Sequence, residues 1–209
     1  MNLAAFDKKL LVIIVGPAAI GKSTIMKAAT DINGNFGYVR GFTTRPRREQ
    51  GDLYLHVDEQ QVEEFREEGS LLTHFVHPTT GYHYGTRLDD YAARYNLLDT
   101  LSGAVDSYRK LPFRATITIG LVTEASRWQE WFLGRYPHKN QEADKRLAEA
   151  KLSLGWLLQQ QDLVWLTNTG SPQEVATKLV DIVLYDGFGD QKGRQQAVDC
   201  LKMIDKMYD

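Results

Sequence analysis

The stretch from Leu10 to Asp31 constrains the fold more than any other part of the chain. Leu10-Leu11-Val12-Ile13-Ile14-Val15 is an unbroken apolar run rich in β-branched residues, and Gly16-Pro17-Ala18-Ala19-Ile20-Gly21-Lys22-Ser23-Thr24 follows it at once. A short continuous apolar run reads as a strand buried on both faces, the habit of parallel sheets. The residues from Lys22 onward carry a helix-forming pattern over 22–31. Strand, glycine-bounded loop and helix together make the G-x-x-x-x-G-K-S pattern of a phosphate-binding loop. Its glycines let backbone N–H groups turn inward around phosphate oxygens. Lys22 would reach the terminal phosphates and Ser23 would offer its hydroxyl to Mg²⁺. The helix would point its positive end at the anion. Ala18 and Ala19 fill the loop interior, which predicts a stiffer loop than one with further glycines.

The remaining chain repeats the alternation. Apolar, β-branched runs at 96–99, 115–122 and 163–167 predict three more strands, and helical patterns cover 102–110, 124–134, 141–160 and 172–184. Strand and helix in alternation predict an α/β fold with a parallel sheet flanked by helices. Residues 36–90 break this rhythm: they are richer in Tyr, Phe, Thr and Gly, and predict a small α+β insertion. Residues 135–146 are polar and charged between two helices and predict a lid. Residues 186–192 are turn-rich. The tail over 190–209 carries Val198, Leu201, Ile204 and Tyr208 at helical spacing. The expectation is one domain over 1–209, with a core of 1–35, 91–134 and 147–186.

Charge and composition exclude several function classes. Lys and Arg number 25 against 27 Asp and Glu, a formal net charge of −2, so no global basic field points to nucleic acid or to an anionic membrane. The single cysteine, Cys200, forms no internal disulfide and fits a reducing compartment. No apolar run approaches membrane-spanning length and the first residues carry no signal-peptide pattern, so a cytoplasmic protein is expected. The five histidines, His56, His74, His77, His83 and His138, have no metalloprotease spacing. The terminal helix leaves monomer and homodimer both open.

A second anion site follows the loop. Arg45, Arg47, Arg48 and Tyr54 lie close together in the sequence, and Tyr82, Tyr84 and Thr86 come after them. Arginines with tyrosine hydroxyls can hold a phosphate monoester by charge-assisted bonds. With this segment the sequence resembles the guanylate kinases. The resemblance rests on GPAAIGKST, on Thr43-Thr44-Arg45, on Tyr82-His83-Tyr84-Gly85-Thr86 and on Leu97-Leu98-Asp99. Gly134-Arg135, Lys145-Arg146-Leu147 and Asn168 continue it in order. It implies a P-loop NTPase core, an inserted subdomain that binds a nucleoside monophosphate (NMP), and a short lid. By that resemblance Gly16, Ala19, Gly21, Lys22, Ser23 and Thr24 bind ATP phosphates, and Ser23 serves the Mg²⁺. Arg45 and either Arg48 or Arg47, with Tyr54 and Tyr84, hold the acceptor phosphate. Thr86 stands where the family sets a hydroxyl on guanine, and Asp99 lies near metal and acceptor. Arg135 and Arg146 match lid arginines, and with Lys22 and Arg45 they form the implied catalytic set. Asn168 matches a residue beside the adenine; from the residues alone it also reads as part of a strand-to-helix cap before Ser171-Pro172.

The departures from the family pattern concentrate on the base. Thr73 falls where the family places a guanine-reading glutamate, and a threonine cannot accept two hydrogen bonds as a carboxylate does. Thr100 or Leu101 stands where a second aspartate is expected, Trp131 replaces a lid arginine, and Pro78-Thr79-Thr80 lengthen the turn before Gly81. The leading expectation is ATP-dependent phosphorylation of a nucleoside monophosphate, GMP or dGMP first. One alternative is the same chemistry on a modified deoxynucleotide or a phosphorylated sugar. Another is a non-catalytic guanylate-kinase-like binding domain.

Overall fold

The computed structural model describes residues 6–47, 54–77 and 80–207. The core sheet is parallel throughout and has five strands. β1 (Leu10–Val15) lies at its centre, between β7 (Tyr95–Asp99) and β8 (Ala115–Val122). β2 (Phe36–Tyr38) pairs outside β7, and β9 (Val164–Thr167) outside β8, giving the order β2-β7-β1-β8-β9. Leu11 to Val15 are all buried, as an apolar run covered on both faces requires. α1 (Lys22–Ile32) and α6 (Pro172–Tyr185) pack against each other, and α7 (Gly193–Lys206) packs on α4 (Ala125–Arg135) and α5 (Gln141–Gln159). Gly120 on β8 lets this second layer approach: a Cβ there would stand 3.1 Å from both Leu157 and Trp165.

A second sheet of four strands, ordered β4-β3-β6-β5, forms the inserted region. β3 (Phe42–Thr43) pairs with β4 (Leu55–His56) in parallel and with β6 (His83–Arg87) in antiparallel. β5 (Leu71–Val76) closes the edge against β6, with a register shift between Leu71 and Thr73. α2 (Glu59–Glu67) carries a capping box in which Asp58 accepts from the Gln61 N–H. Gly85 admits the close crossing of strands: a Cβ would meet the Thr73 carbonyl oxygen at 2.2 Å and the Phe42 ring at 2.5 Å.

Three boundaries differ from the sequence reading. β2 falls inside the segment 36–90 but belongs to the core sheet; Phe-Gly-Tyr is too short to show a period, and only the pairing with β7 defines it. The helix expected over 102–110 divides into a 3₁₀ turn at Ser102–Ala104 and α3 (Val105–Arg109). Within 135–146, Arg135 ends α4 and residues 141–146 are the first turns of α5, capped by Asn140 accepting from the Ala143 N–H. Only 136–140 connect the two helices. The cap at Ser171 holds, with Pro172 in the first turn and Glu174 completing a capping box. Tyr208, Pro78 and Thr79 lie outside the described residues.

Candidate active site

The glycine loop joins the C-terminal end of β1 to the N-terminus of α1. Two positive φ values shape it, 63° at Ala19 and 92° at Gly21. Gly16 sits so close to β8 that a Cβ would lie 2.5 Å from the Leu121 carbonyl oxygen. Two side chains from distant elements pin the loop. Trp128 on α4 donates its indole N–H to the Ala18 carbonyl at 2.9 Å, and Asn168 donates its amide to the Ile20 carbonyl at 2.9 Å. Asn168 is itself fixed, since its N–H donates to Val122 O at 2.7 Å and its carbonyl accepts from the Thr123 hydroxyl at 2.7 Å. The amide of Asn168 is therefore spent beneath the loop. Trp128 is fully buried and also serves the loop; no sequence signal marks that task.

Lys22 donates to Gly16 O at 2.8 Å and Pro17 O at 3.2 Å, and its ammonium stands 3.8 Å from Asp99 Oδ1. Ser23 and Thr24 are exposed on the first turn of α1, which carries no acidic side chain. That turn suits an anion, because its N–H groups have no intrahelical acceptor. Burial raises the Asp99 carboxyl above its ordinary range, and the Lys22 charge opposes the rise. Among the described residues no group of three or more His, Cys, Asp or Glu could hold a metal. The exposed Ser23 hydroxyl fits a Mg²⁺ that takes its other oxygens from a nucleotide.

A cleft of about 850 Å³ opens between the inserted sheet, the turn at Ser102–Ala104, α3 and α5. Arg45, Thr73, Tyr84 and Arg146, all expected from the sequence, line it together. Tyr54 packs edge-on to Tyr84, with ring centroids 5.7 Å apart. Burial holds the Tyr54 phenol well above its ordinary value, and the Asp99 carboxylate adds to that. Arg146 pairs with Glu149 at 2.7 Å and with Glu142 at 3.7 Å. Arg135 is exposed, lies over the Tyr136 ring at 5.8 Å and does not line this cleft. Arg47 is exposed where the described segment ends, and Arg48 lies outside the described residues.

At the position expected to read a base, the hydroxyls pair with one another. Thr73 Oγ1 and Thr86 Oγ1 are 2.7 Å apart, and Thr86 Oγ1 is 2.9 Å from the Tyr91 hydroxyl. Thr86 and Tyr91 are fully buried, so Thr86 stands behind Thr73 rather than on the cleft surface. Tyr108, from α3, closes the group. Burial raises its phenol, and the hydroxyls of Thr73, Thr100 and Thr86 oppose the rise. Tyr91 and Tyr108 were not marked in the sequence, and Thr100 was marked only as a candidate for the missing second aspartate, because nothing local relates residues 73, 86, 91 and 108. The buried Cys200 thiol is pushed up to about 12 by burial, which makes it an inert core group rather than a nucleophile.

No family model matches the chain. Over 86 residues the chain is 35% identical to a guanylate kinase of Shouchella clausii (strain KSM-K16), covering 40% of this chain and 41% of that protein. A guanylate kinase of Enterococcus faecalis (strain ATCC 700802 / V583) is 34% identical over 86 residues, 39% of this chain and 41% of the relative. The match thus spans about two fifths of the length of these curated relatives. The crystal structure of guanylate kinase from Anaplasma phagocytophilum superposes with a TM-score of 0.55 over 97% of this chain and 96% of that one, at 14% identity. That likeness is one of fold.

Proposed function

The chain is guanylate kinase-like in its fold and in part of its sequence, and from that premise we propose that it transfers the terminal phosphoryl group of ATP to a nucleoside monophosphate. The observation that carries this reading is the presence of two sites suited to anions. Lys22 heads α1 beside Asp99, and Arg45 and Arg146 line the neighbouring cleft. The acceptor phosphate is largely ionised at neutral pH, its second pKa being about 6, so the reaction needs no strong general base. Alignment and charge neutralisation of a loose transition state do the work. Lys22 would release the Gly16 carbonyl to meet the transferring phosphate, and Arg146 would exchange Glu149 for phosphate oxygens. Mg²⁺, held through Ser23 and the nucleotide, would supply further positive charge. Arg135 would join only if the 136–140 connection brings it inward.

The relatives' name supports GMP or dGMP as acceptor. The Thr73–Thr86 pair supports a second reading, the same chemistry on another phosphorylated acceptor. The intact loop and Lys22 argue against a purely non-catalytic binding domain. The test is ADP release from ATP, followed with a panel of nucleoside monophosphates and sugar phosphates. Turnover dependent on one class of nucleoside monophosphate is expected. ATP binding without turnover on any acceptor would overturn the kinase reading.

A further inference from the structure

Arg45, Lys145 and Arg146 line the cleft, the first from the inserted region and the other two from α5. The two cations on α5 differ in what they already hold. Arg146 pairs with Glu149 at 2.7 Å and with Glu142 at 3.7 Å. Among the described residues, Glu142 and Glu149 are also the carboxylates that line the cleft. Both are turned to Arg146. Lys145 is exposed, and among the described residues no carboxylate pairs with it. The wall that α5 presents therefore holds one neutralised cation and, beside it in the chain, one whose charge is left over.

Position adds to charge. Gln141, Lys145, Ala148 and Leu152 follow one another at helical spacing on α5, all exposed and all lining the cleft, so this row of the helix faces it. Glu149 stands one turn beyond Lys145, and its carboxylate helps raise the Asp99 carboxyl. Asp99 in turn lies 3.8 Å from the Lys22 ammonium. This turn of α5 thus lies at the end of the cleft towards the glycine loop, where an acceptor phosphate has to sit to meet the group that Lys22 serves. A phosphate monoester carries about −1.5 to −2 charge at neutral pH. To reach it, Arg146 must first leave Glu149, whereas the Lys145 ammonium, a point charge on a flexible stem, gives up only water. Loss of the Glu149 pair is better offset in the transition state, where negative charge spreads over the transferring oxygens.

We propose that Lys145 is the cation of α5 that binds the acceptor phosphate, together with Arg45 from the inserted region, while Glu142 and Glu149 keep Arg146 for the transition state. This inference rests on the kinase reading above. Its test uses the full chain with saturating ATP and AMP, GMP, CMP, UMP, dTMP and ribose 5-phosphate as acceptors. ADP release gives kcat and KM, and calorimetry gives ATP affinity. Lys145→Met keeps the stem and removes the charge. It should raise the KM of every acceptor the parent uses by about tenfold, with kcat and ATP affinity little changed. The factor should be the same whatever the base, because the contact is to phosphate. Lys145→Arg should restore most of the loss. Arg146→Met should show the opposite split, lowering kcat about 10²-fold with a smaller change in KM. An unchanged KM in Lys145→Met would overturn the inference and leave the kinase reading intact. So would a rise that arginine does not restore, a rise confined to one base, or an equal loss of ATP affinity. No turnover by the parent on any acceptor, with ATP still bound, would overturn the kinase reading and this inference with it.

Discussion

The glycine loop and the cleft are held by different kinds of contact. The loop is fixed through its own backbone. Trp128 and Asn168 each donate to one of its carbonyls, Gly16 rests on β8, and Ala19 and Gly21 take positive φ. The cleft is built from side chain to side chain: Thr73 with Thr86, Phe75 on Tyr84, Arg146 with Glu149. A loop that binds phosphate by its N–H groups needs one backbone shape and tolerates few residues. A wall of side chains can change its chemistry without moving the strands, so recognition can be respecified there while phosphate binding is kept.

The comparison can be broken first at Lys22. Lys22→Ala should reduce turnover by about 10²–10³-fold, the size of losing one preorganised charge at a transferring group. Its circular dichroism should match the parent, because the Lys22 hydrogen bonds are to its own loop and its ion-pair partner Asp99 keeps 30% of its side chain exposed. Near-normal turnover would remove the loop from the chemistry. At the cleft, Arg45→Ala should weaken the acceptor by about 1.5–3 kcal/mol, roughly 10–100-fold in KM, with ATP affinity unchanged. Equal losses for both substrates would show that the two ends are not separable.

Asn168→Ala sharpens the distinction, because it strips the loop of support without touching the cleft. The buried Ile20 carbonyl loses its donor, a cost of about 1–3 kcal/mol in stability. The KM for ATP should rise and that for the acceptor should not.

The smallest effect is expected from pH at the cleft rim. His74 Nδ1 faces the Arg66 guanidinium at 3.5 Å, and Nε2 faces His83 Nδ1 at 3.3 Å. Arg66 can only donate, so neutral His74 carries its hydrogen on Nε2 and donates to His83. Burial, then His83 and Arg66, hold the His74 imidazole below its ordinary value, against the opposing charge of Glu63. The unfolded chain then takes up a proton that the folded protein refuses. Stability should therefore be flat above the ordinary 6.5 and fall as pH drops below it. Thermal midpoints across that window should decline less in His74→Gln; an equal decline would assign the acid sensitivity to other groups.

Much of the fold was legible from local pattern. The apolar runs at 10–15 and 115–122 are strands because burial on both faces demands continuous apolar sequence, and both appear within those bounds. Ser171-Pro172 announced the start of α6 because capping is a local hydrogen-bond problem. β2 was not legible as a core strand, since three residues carry no period and partnership with β7 defines them. Lys22 and Ser23 could be named because their spacing in the chain is their geometry. Arg45 and Tyr84 could be named as an anion site from arginines and tyrosines close in the chain, Thr73 and Arg146 only through the ordered resemblance, and the structure brings all four to one cleft.

The sequence by itself determined the parallel core, the glycine loop beside its central strand and the threonine, rather than a carboxylate, at position 73. Each follows from residues adjacent in the chain or from a residue's own chemistry. Tertiary structure alone decided that Asn168 and Trp128 support the loop, that Thr86 stands buried behind Thr73, and that Tyr108 closes the group. It also left Arg135 on the surface while carrying Arg146 into the cleft. Those roles depend on contacts between residues up to 148 positions apart. A hydrogen bond is set by distance and angle in space, and chain order does not record either.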